Sequence, residues 1–451
     1  MALPDLVLTS ERVVTPRGEV PGAVVVENGI ITAVEPLSHV PPAASRVDTG
    51  DAAVLPGVVD THVHVNEPGR TEWEGFETAT RAAAAGGVTT IVDMPLNSIP
   101  VTTTVAALAA KTTAATGRAL IDFGCWGGVV PGNLDELGPL VNAGVLGFKC
   151  FLVPSGIDEF PAITERDLAP AMRRLAGLGV VLLVHAELPG PIERVANVAG
   201  DPRHYATWLA SRPAEAELEA IDLVLRLSRE TGCRVHIVHL ACADALDRID
   251  AAKRRGVPVT VETCPHYLSF AAEDIPDGAT AFKCAPPVRK AEHRERLWDG
   301  LERGIIDLVA SDHSPAPRAL KQLESGSFLE AWGGIASVEL ALAALWTRAR
   351  ARGRTLGDLA RWMSSGPARL AGLGRKGAIT PGYDADFVVF HPDTTWTVDQ
   401  SRLRQRHPIT PYEGLVLTGE VRQTFLRGNS VYDNGRFPEK AAGRWIQREG
   451  V

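Results

Sequence analysis

The middle of the chain alternates eight times between a short apolar run and a longer segment rich in Ala, Leu, Arg and Glu. The apolar runs are nearly continuous, which is typical of parallel strands that are buried on both faces. Segments with helical spacing separate them, for example 73–85, 165–179 and 214–232. Eight such repeats over about 320 residues predict an α/β fold, a (β/α)8 barrel of the TIM type. The runs are VVDTHVHV, VTTIVDM, ALIDFGCW, GVLGFKCF, VVLLVHAE, CRVHIVHL, VPVTVETC and IIDLVASDH.

A doubly wound open sheet is the competing arrangement for alternating strands and helices. No GxGxxG motif follows any of the eight runs, although such a motif is the usual signature of a dinucleotide-binding sheet. The eighth run is followed by a long loop, residues 313–334. Barrels often keep active-site lids in the loops at this end of their strands, so we expect this loop to cover a site.

The two ends of the chain differ from the middle, because both are composed of short strand-like segments joined by turns. We predict that residues 1–54 and 375–451 form one small, β-sandwich-like domain, and that residues 55–374 form the barrel. Gly next to Asn or Arg marks the turns of β-hairpins. The turn signals are Arg17-Gly18, Asn28-Gly29, Gly428-Asn429 and Asn434-Gly435.

Composition excludes several classes of partner. The formal net charge is −8, which provides no basic surface of the kind that binds nucleic acid. No apolar stretch approaches the roughly 20 residues of a membrane span, and the N-terminus lacks the pattern of a signal peptide. The six cysteines form no CxxC pair, so we expect reduced thiols in a cytoplasmic protein.

Four histidines, His62, His64, His185 and His239, lie at or just after the ends of three apolar runs. His62 and His64 are two residues apart, so a strand would point them to the same face. Each histidine alone is more commonly an ordinary polar or core residue. Together they would meet at the C-terminal ends of the strands, where barrels build their active sites. This arrangement predicts a metal site, and imidazole with carboxylate suits zinc, iron, cobalt or manganese. We expect the other histidines to be ordinary, with His236 facing away from His239.

Asp312 and Lys149 could complete this site. Asp312 ends the last run, where it could bind a metal and accept a proton from attacking water, although it could equally cap a helix. A lysine amine is a poor ligand, but burial beside metals would lower its pKa and let it react with carbon dioxide. The resulting carbamate would be the bridging anion that four histidines and one aspartate lack.

Several long stretches of the sequence resemble the cyclic amidohydrolases, a family within the amidohydrolase superfamily that includes hydantoinases, dihydroorotases and allantoinases. The similarity covers nearly the whole chain and is greatest to the allantoinases. The stretches are HVHVNEPGRTEWEGFETATRAAAAGGVTT, DMPLNS, GVLGFKCF, ETCPHYL, KCAPPVR, SDHSPAP, WGGIASVE, GAITPGYDADFVVF and RHPITPYEG.

The resemblance implies a complete active site. It implies a barrel with a small β domain made from both termini. It also implies two divalent metal ions per subunit, with zinc as the first expectation and iron, cobalt or manganese as alternatives. The implied metal ligands are His62, His64, Lys149, His185, His239 and Asp312, with Lys149 carboxylated by carbon dioxide and bridging. Asp312 would also be the catalytic acid–base, and Asn97, Ala285 and Gly334 would bind a small-molecule substrate. Members of the family are commonly homotetramers.

Two departures from the family patterns bear on the substrate. Dihydroorotases carry an arginine two positions after the second histidine, where this chain has Asn66. Hydantoinases place a tyrosine shortly after the carboxylated lysine, where this chain has Cys150 and Phe151. Both departures favour hydrolysis of the hydantoin ring of allantoin to allantoate, in purine and ureide breakdown. A hydantoinase, dihydropyrimidinase or dihydroorotase is the alternative, and a non-catalytic relative is disfavoured because every ligand position is filled.

Overall fold

The computed structural model describes residues 3–196 and 198–448, and the bounds that follow refer to these ranges. The strands are β1 (Leu6–Thr15), β2 (Gly18–Glu27), β3 (Ile30–Glu35), β4 (Ser45–Asp48), β5 (Ala53–Pro56), β6 (Val58–Val63), β7 (Val88–Asp93), β8 (Asp122–Cys125), β9 (Gly127–Gly128), β10 (Gly147–Phe151), β11 (Val181–His185), β12 (Val235–Ile237), β13 (Val259–Thr263), β14 (Leu308–Val309), β15 (Phe387–Thr397), β16 (Val416–Leu426) and β17 (Asn429–Asp433).

The helices fill the intervals between the barrel strands and follow the last of them. They are α1 (Phe76–Ala85), α2 (Val105–Ala115), α3 (Leu137–Asn142), α4 (Glu165–Leu178), α5 (Pro189–Arg194), α6 (Tyr205–Ser211), α7 (Ala214–Thr231), α8 (Leu246–Arg254), α9 (Pro265–Ser269), α10 (Ala291–Glu302), α11 (Ala341–Ala351), α12 (Leu356–Ala360) and α13 (Gly366–Ala371). In the described part of the chain, no helix combines the length and apolar character needed to cross a membrane.

Strands β6 to β14 form the predicted barrel. All their pairings are parallel, in the orders β6-β7-β8 and β9-β10-β11-β12-β13-β14. Strands β8 and β9 are one barrel strand interrupted at Trp126, whose indole N–H donates to the carbonyl of Thr61 at 2.9 Å. A parallel bridge between Val63 and His313 joins the first strand to the segment after the last. The eight predicted apolar runs are therefore the eight barrel strands, and the predicted fold class is confirmed.

The barrel strands are largely apolar because they are buried on both sides. Every residue of β6, β7, β10 and β11 is buried. Helices cover the outer side, and α4, for example, packs Leu168, Met172 and Leu175 into the core. Burial on two faces removes the alternation of polar and apolar residues seen in a half-exposed sheet. The three segments with predicted helical spacing contain α1, α4 and α7.

Both termini contribute to one mixed sheet, as predicted for the small β domain. Its order is β17-β16-β15-β5-β1-β2-β3, with β4 paired to β1. Strand β5 joins the two ends of the chain, since it pairs parallel with β1 and antiparallel with β15. Asn28 and Gly29 have φ values of 53° and 78°, as a type I′ hairpin turn requires. The turn between β16 and β17 is Arg427-Gly428, one residue earlier than predicted, and both residues again have positive φ.

We propose 1–54 with 375–451, and 55–374, as the limits of the two domains. The first two and last three residues of the chain lie outside the described residues.

The C-terminal tail returns to the barrel after the last strand of the sheet. The N–H of Phe123 in β8 donates to the carbonyl of Arg444 at 3.0 Å, and the N–H of Ile446 donates to that of Phe123 at 2.8 Å. The tail therefore ties the end of the chain to the barrel.

Candidate metal centre and active site

The six predicted ligands come together at the C-terminal end of the barrel. His62 and Lys149 lie in β6 and β10, and His185 is the last residue of β11. His64, His239 and Asp312 lie in the first residues after their strands. One cavity is lined by His62, His64, His185, His239 and Asp312. Residues from positions 62 to 312 are neighbours here because parallel barrel strands all end at the same rim.

His62, His64 and Asp312 form one group within this site. The Oδ1 atom of Asp312 lies 3.1 Å from Nε2 of His62 and 3.4 Å from Nε2 of His64. All three side chains are buried, and one ligand atom from each lies within 4.8 Å of the others. Two imidazoles and one carboxylate at this spacing are a suitable donor set for a divalent cation.

His185 and His239 form a second pair of donors next to the first group. Nδ1 of His185 lies 3.0 Å from Nε2 of His239, and the ring centroids of His62 and His239 are 5.4 Å apart. Burial, followed by the charges of His185 and Lys149, holds the pKa of His239 well below its usual value. Burial also lowers the pKa of His185. Neutral imidazole is the form that binds metals, so this pair suits a second cation beside the first.

Lys149 is buried beneath the cavity. Its Nζ atom has no hydrogen-bond partner among the described residues and lies 4.9 Å from the centre of the Phe151 ring. Burial lowers the pKa of Lys149 to about 8, although the charges of Glu262 and Asp312 act in the opposite direction. A buried amine without a partner is costly, and a lowered pKa frees it to react as a nucleophile. These properties fit a lysine that is carboxylated and shared by two cations.

Three residues of the site adopt a backbone conformation that side chains disfavour. The φ values are 71° for Asn97, 41° for His239 and 47° for Asp312. For residues other than glycine, such conformations cost on the order of 1–3 kcal/mol, and they concentrate at functional sites. Each of these three residues follows a strand, and its left-handed backbone breaks the two-residue alternation of side chains along that strand. Side chains that a regular strand would direct elsewhere are thereby turned towards the cavity.

The left-handed backbone at His239 also explains why the prediction for His236 is wrong. Strand β12 ends at Ile237, so His236 and His239 are not related by regular strand alternation. His236 points into the barrel, where its Nε2 lies 3.0 Å from Glu262 and its Nδ1 lies 2.8 Å from the hydroxyl of Thr260. It thus belongs to the layer of side chains directly beneath the site.

Two buried carboxylates orient the histidines from behind, and neither was singled out from the sequence. Glu262 lies 2.5 Å from Nδ1 of His62, and Glu187 lies 2.7 Å from Nε2 of His185 and 2.8 Å from Nη1 of Arg212. Burial alone would raise both pKa values, but Arg212 and the hydrogen bond from His185 lower the pKa of Glu187 to about 2, and His62 and His236 lower that of Glu262 to about 2. Such carboxylates set the tautomer and direction of a ligand histidine. Glu187 could have been found from its position two residues after His185.

The predicted substrate-binding residues line the same cavity as the histidines. Asn97, Ala285 and Gly334 are among its walls, together with the segment from Glu330 to Gly334 of the long loop. The Oδ1 atom of Asn97 is buried and has no hydrogen-bond partner among the described residues. Phe151 stacks on His185, with ring centroids 4.7 Å apart and an interplanar angle of 18°. The cavity therefore combines cation donors at its base with peptide groups and an amide on its walls.

Comparisons with known proteins agree with this architecture. The model of the Amidohydrolase family matches residues 53–431, and the chain belongs to that family of enzymes. The chain is 53% identical to the allantoinase of Streptomyces avermitilis, over 99% of both chains. It is 45% identical to the allantoinase of Arabidopsis thaliana, covering 97% of this chain and 90% of that one. The solved structure of the L-hydantoinase (dihydropyrimidinase) from Arthrobacter aurescens superposes with a TM-score of 0.93 at 33% identity, covering 99% of this chain and 100% of that chain.

Proposed function

We propose that this chain is an allantoinase, which hydrolyses the hydantoin ring of allantoin to give allantoate in purine and ureide breakdown. One observation carries the proposal: a bacterial and a plant allantoinase match almost the entire chain, at 53% and 45% identity. The hydantoinase structure has the same fold, but its identity to this chain is lower, at 33%. The cavity supports a hydrolytic reaction, because cation donors and a carboxylate lie together at its base.

We propose that the site holds two divalent metal ions per subunit. Zinc suits the imidazole-rich donor set best, and iron, cobalt or manganese are alternatives. Carboxylated Lys149 would bridge the two ions, which explains why its Nζ is buried without a partner. When bound, the ions activate water for attack and polarise the carbonyl of the substrate. The proposed ligands are His62, His64, Lys149, His185, His239 and Asp312.

Asp312 is the proposed catalytic acid–base. Its carboxylate lies beside His62 and His64 and faces the cavity. It would accept a proton from the attacking water and deliver that proton to the ring nitrogen that leaves. The group that carries the proton has to reach both the attacking water and the scissile amide. A residue at the base of the cavity can reach both.

Asn97 and the backbone at Ala285 and Gly334 are the proposed substrate contacts. A cyclic amide presents N–H donors and carbonyl acceptors in one plane, so it needs both kinds of partner around it. The side-chain amide of Asn97 and two peptide groups supply both kinds. All three line the cavity, and Asn97 has an unpartnered oxygen for a ring N–H.

A hydantoinase or dihydropyrimidinase is the second candidate, because the Arthrobacter aurescens structure superposes over nearly the whole chain. Phe151 weakens this candidate, since it places a ring without a hydroxyl on the cavity wall, stacked on His185. A dihydroorotase is less favoured, because the neutral amide of Asn66 stands where that enzyme's carboxylate-binding arginine is expected.

A substrate panel tests these candidates. Purified enzyme is assayed on allantoin, hydantoin, dihydrouracil and dihydroorotate, and its metal content is quantified in the same sample. We expect the highest kcat/KM on allantoin, with two metal ions per subunit. A higher kcat/KM on any other member of the panel would overturn the proposed substrate but retain the hydrolase class. Metal-free protein with full activity would overturn the proposed cofactor.

The assembly and location of the enzyme are also proposals. We infer a homotetramer from the family resemblance and a cytoplasmic location from the reduced state expected of its six buried, unpaired cysteines. The proposed partner is a small molecule alone. Light scattering coupled to size-exclusion chromatography should give a mass near four times 48.1 kDa. A monomeric mass at assay concentration would contradict the tetramer.

A further inference from the structure

One wall of the cavity is a short part of the long loop, residues 329–334, which we call the rim segment. Trp332 of the rim segment packs against residues of two other loops. Its ring lies edge-on to Trp73, with centroids 5.0 Å apart, and a methyl group added to Gly156 would come within 3.0 Å of it. Residues 330–334 of the rim segment line the cavity, so its position shapes that wall.

Two buried lysines hold the rim segment through its backbone carbonyls. Nζ of Lys321 donates to the carbonyl of Gly334 and, at 3.3 Å, to that of Trp332. Nζ of Lys283 donates to the carbonyl of Leu329 at 3.0 Å and to that of Ala331. The carbonyl of Lys283 in turn accepts from the N–H of Gly334 at 2.8 Å. Four carbonyls of one six-residue segment are thus bound by two side chains.

Neither lysine has an acidic partner within 4.0 Å in the described part of the chain. The contrast is Lys376, another buried lysine, which pairs with three aspartates. Burial lowers the pKa of Lys321 to about 8, and burial followed by the charge of Arg212 lowers that of Lys283 to about 7. A buried cation without a counter-charge is costly unless dipoles compensate for it. Here the carbonyls of the rim segment are that compensation.

Lys283 has one further favourable contact, with the face of Trp208. Its Nζ lies 4.3 Å from the centre of the Trp208 ring, the geometry of a cation–π interaction. Trp208 also lines the cavity. The side chain is therefore held between the ring of Trp208 on one side and the carbonyls of the rim segment on the other.

We propose that Lys283 and Lys321 are positioning residues of the reaction, which hold the rim segment over the cavity and so place the peptide of Gly334 against the substrate. The inference deepens the proposed function, since it rests on Gly334 binding the substrate ring. The backbone hydrogen bond from the N–H of Gly334 to the carbonyl of Lys283 also links the two proposed peptide contacts, because Lys283 lies two residues before Ala285. The two lysine side chains hold the rest of the rim segment around this backbone bond.

The test compares Lys283→Met and Lys321→Met with Lys321→Gln and with Lys253→Met as the matched control. Lys253 also donates to a backbone carbonyl, that of Ile305 at 2.9 Å, but it pairs with Asp307 and lies outside the cavity walls. Methionine keeps the length and apolar character of the lysine stem, and glutamine keeps an N–H donor. Each metal-loaded variant is measured for amide hydrogen exchange in peptides covering 327–334, and for kcat and KM on the preferred substrate.

In both methionine variants we expect faster amide hydrogen exchange in the rim segment alone. We also expect kcat/KM to fall by about tenfold to a hundredfold, because small misplacements of binding groups cost that much in rate. Lys321→Gln should lie between wild type and Lys321→Met, and Lys253→Met should match wild type in both measurements. If Lys321→Met does not fold, Lys321→Gln and Lys283→Met provide the same comparison.

Unchanged amide hydrogen exchange of the rim segment in the variants at both lysines would overturn the proposal. A loss of kcat/KM without faster exchange of the rim segment would also overturn it. Hydrogen exchange needs no substrate, so it separates this proposal from the proposed function. Faster rim exchange with no turnover of allantoin in wild type would support the positioning role and overturn the substrate. Turnover of allantoin by wild type, with unchanged rim exchange in the variants, would support the proposed substrate and overturn the positioning role.

Discussion

Replacing Glu262 by glutamine should weaken metal binding without disturbing the packing of the barrel core. Glu262 is fully buried and accepts from Nδ1 of His62 at 2.5 Å and from Nε2 of His236 at 3.0 Å. The amide of glutamine has nearly the same shape, so the variant removes charge rather than volume. One amide oxygen can still accept from His62, but the amide N–H₂ then faces His236, which has to change its tautomer.

The size of the effect follows from these two hydrogen bonds. A hydrogen bond to a charged group contributes about 1.5–3 kcal/mol, roughly twice as much as a neutral one. Loss of the charge therefore weakens the hold on His62 by about 1–1.5 kcal/mol, which corresponds to roughly a fivefold to tenfold loss in affinity. Mutation of the hydrogen-bond partner of a ligand histidine typically costs about tenfold to a hundredfold in metal affinity, and the lower end of that range agrees with this value.

The assay is competition for the metal with a chelator of known affinity, followed by metal quantification in the protein. We expect the affinity of Glu262→Gln to fall by about tenfold to a hundredfold, with secondary structure retained. Asp386→Asn is the matched control, because it removes a buried charge that pairs with Lys376, away from the proposed ligands. Wild-type metal affinity in Glu262→Gln, or an equal loss in Asp386→Asn, would refute the orienting role of Glu262.

Three further outcomes follow from the structure. Asp312→Asn should lower kcat by about a hundredfold to ten-thousandfold, as removal of a general acid–base does, while metal content stays largely intact; near-wild-type turnover would contradict its catalytic role. Lys149→Ala should leave at least one metal position empty, with partial rescue by short carboxylic acids that replace the carbamate; full occupancy without added acid would contradict the bridge. Leu175→Ala, in the buried face of α4, should destabilise the protein by about 2–5 kcal/mol through the cavity it leaves, with a lower midpoint of thermal unfolding and unchanged kcat.

Much of the fold could be predicted because each element carries its own local signal. The eight continuous apolar runs predicted the eight barrel strands, since burial on both faces leaves no room for polar alternation. The helical spacing of 165–179 predicted α4, and Asn28-Gly29 predicted a hairpin turn, because both depend on neighbouring residues. The return of residues 443–446 to β8 could not be predicted, because that contact joins positions more than 300 residues apart.

Local patterns in the sequence also showed which residue types could serve the site and at which end of the barrel they would lie. His62, His64, Lys149, His185, His239 and Asp312 were found because each lies at or near the end of an apolar run. How these six residues group became visible in the folded barrel. It sets His62 and His64 beside Asp312 and His185 beside His239, through left-handed backbone at His239 and Asp312 that no periodicity reveals.

Tertiary structure alone also identified the residues that hold the site in place. Glu262 contacts a histidine 200 positions away, and Lys283 and Lys321 bind carbonyls of a segment without regular structure. Sequence patterns record the periodicity of a strand or helix and the preferences of a turn, which act over a few residues. Hydrogen bonds between distant segments depend instead on how the barrel closes and where its loops cross, so they exist only once the whole chain has folded.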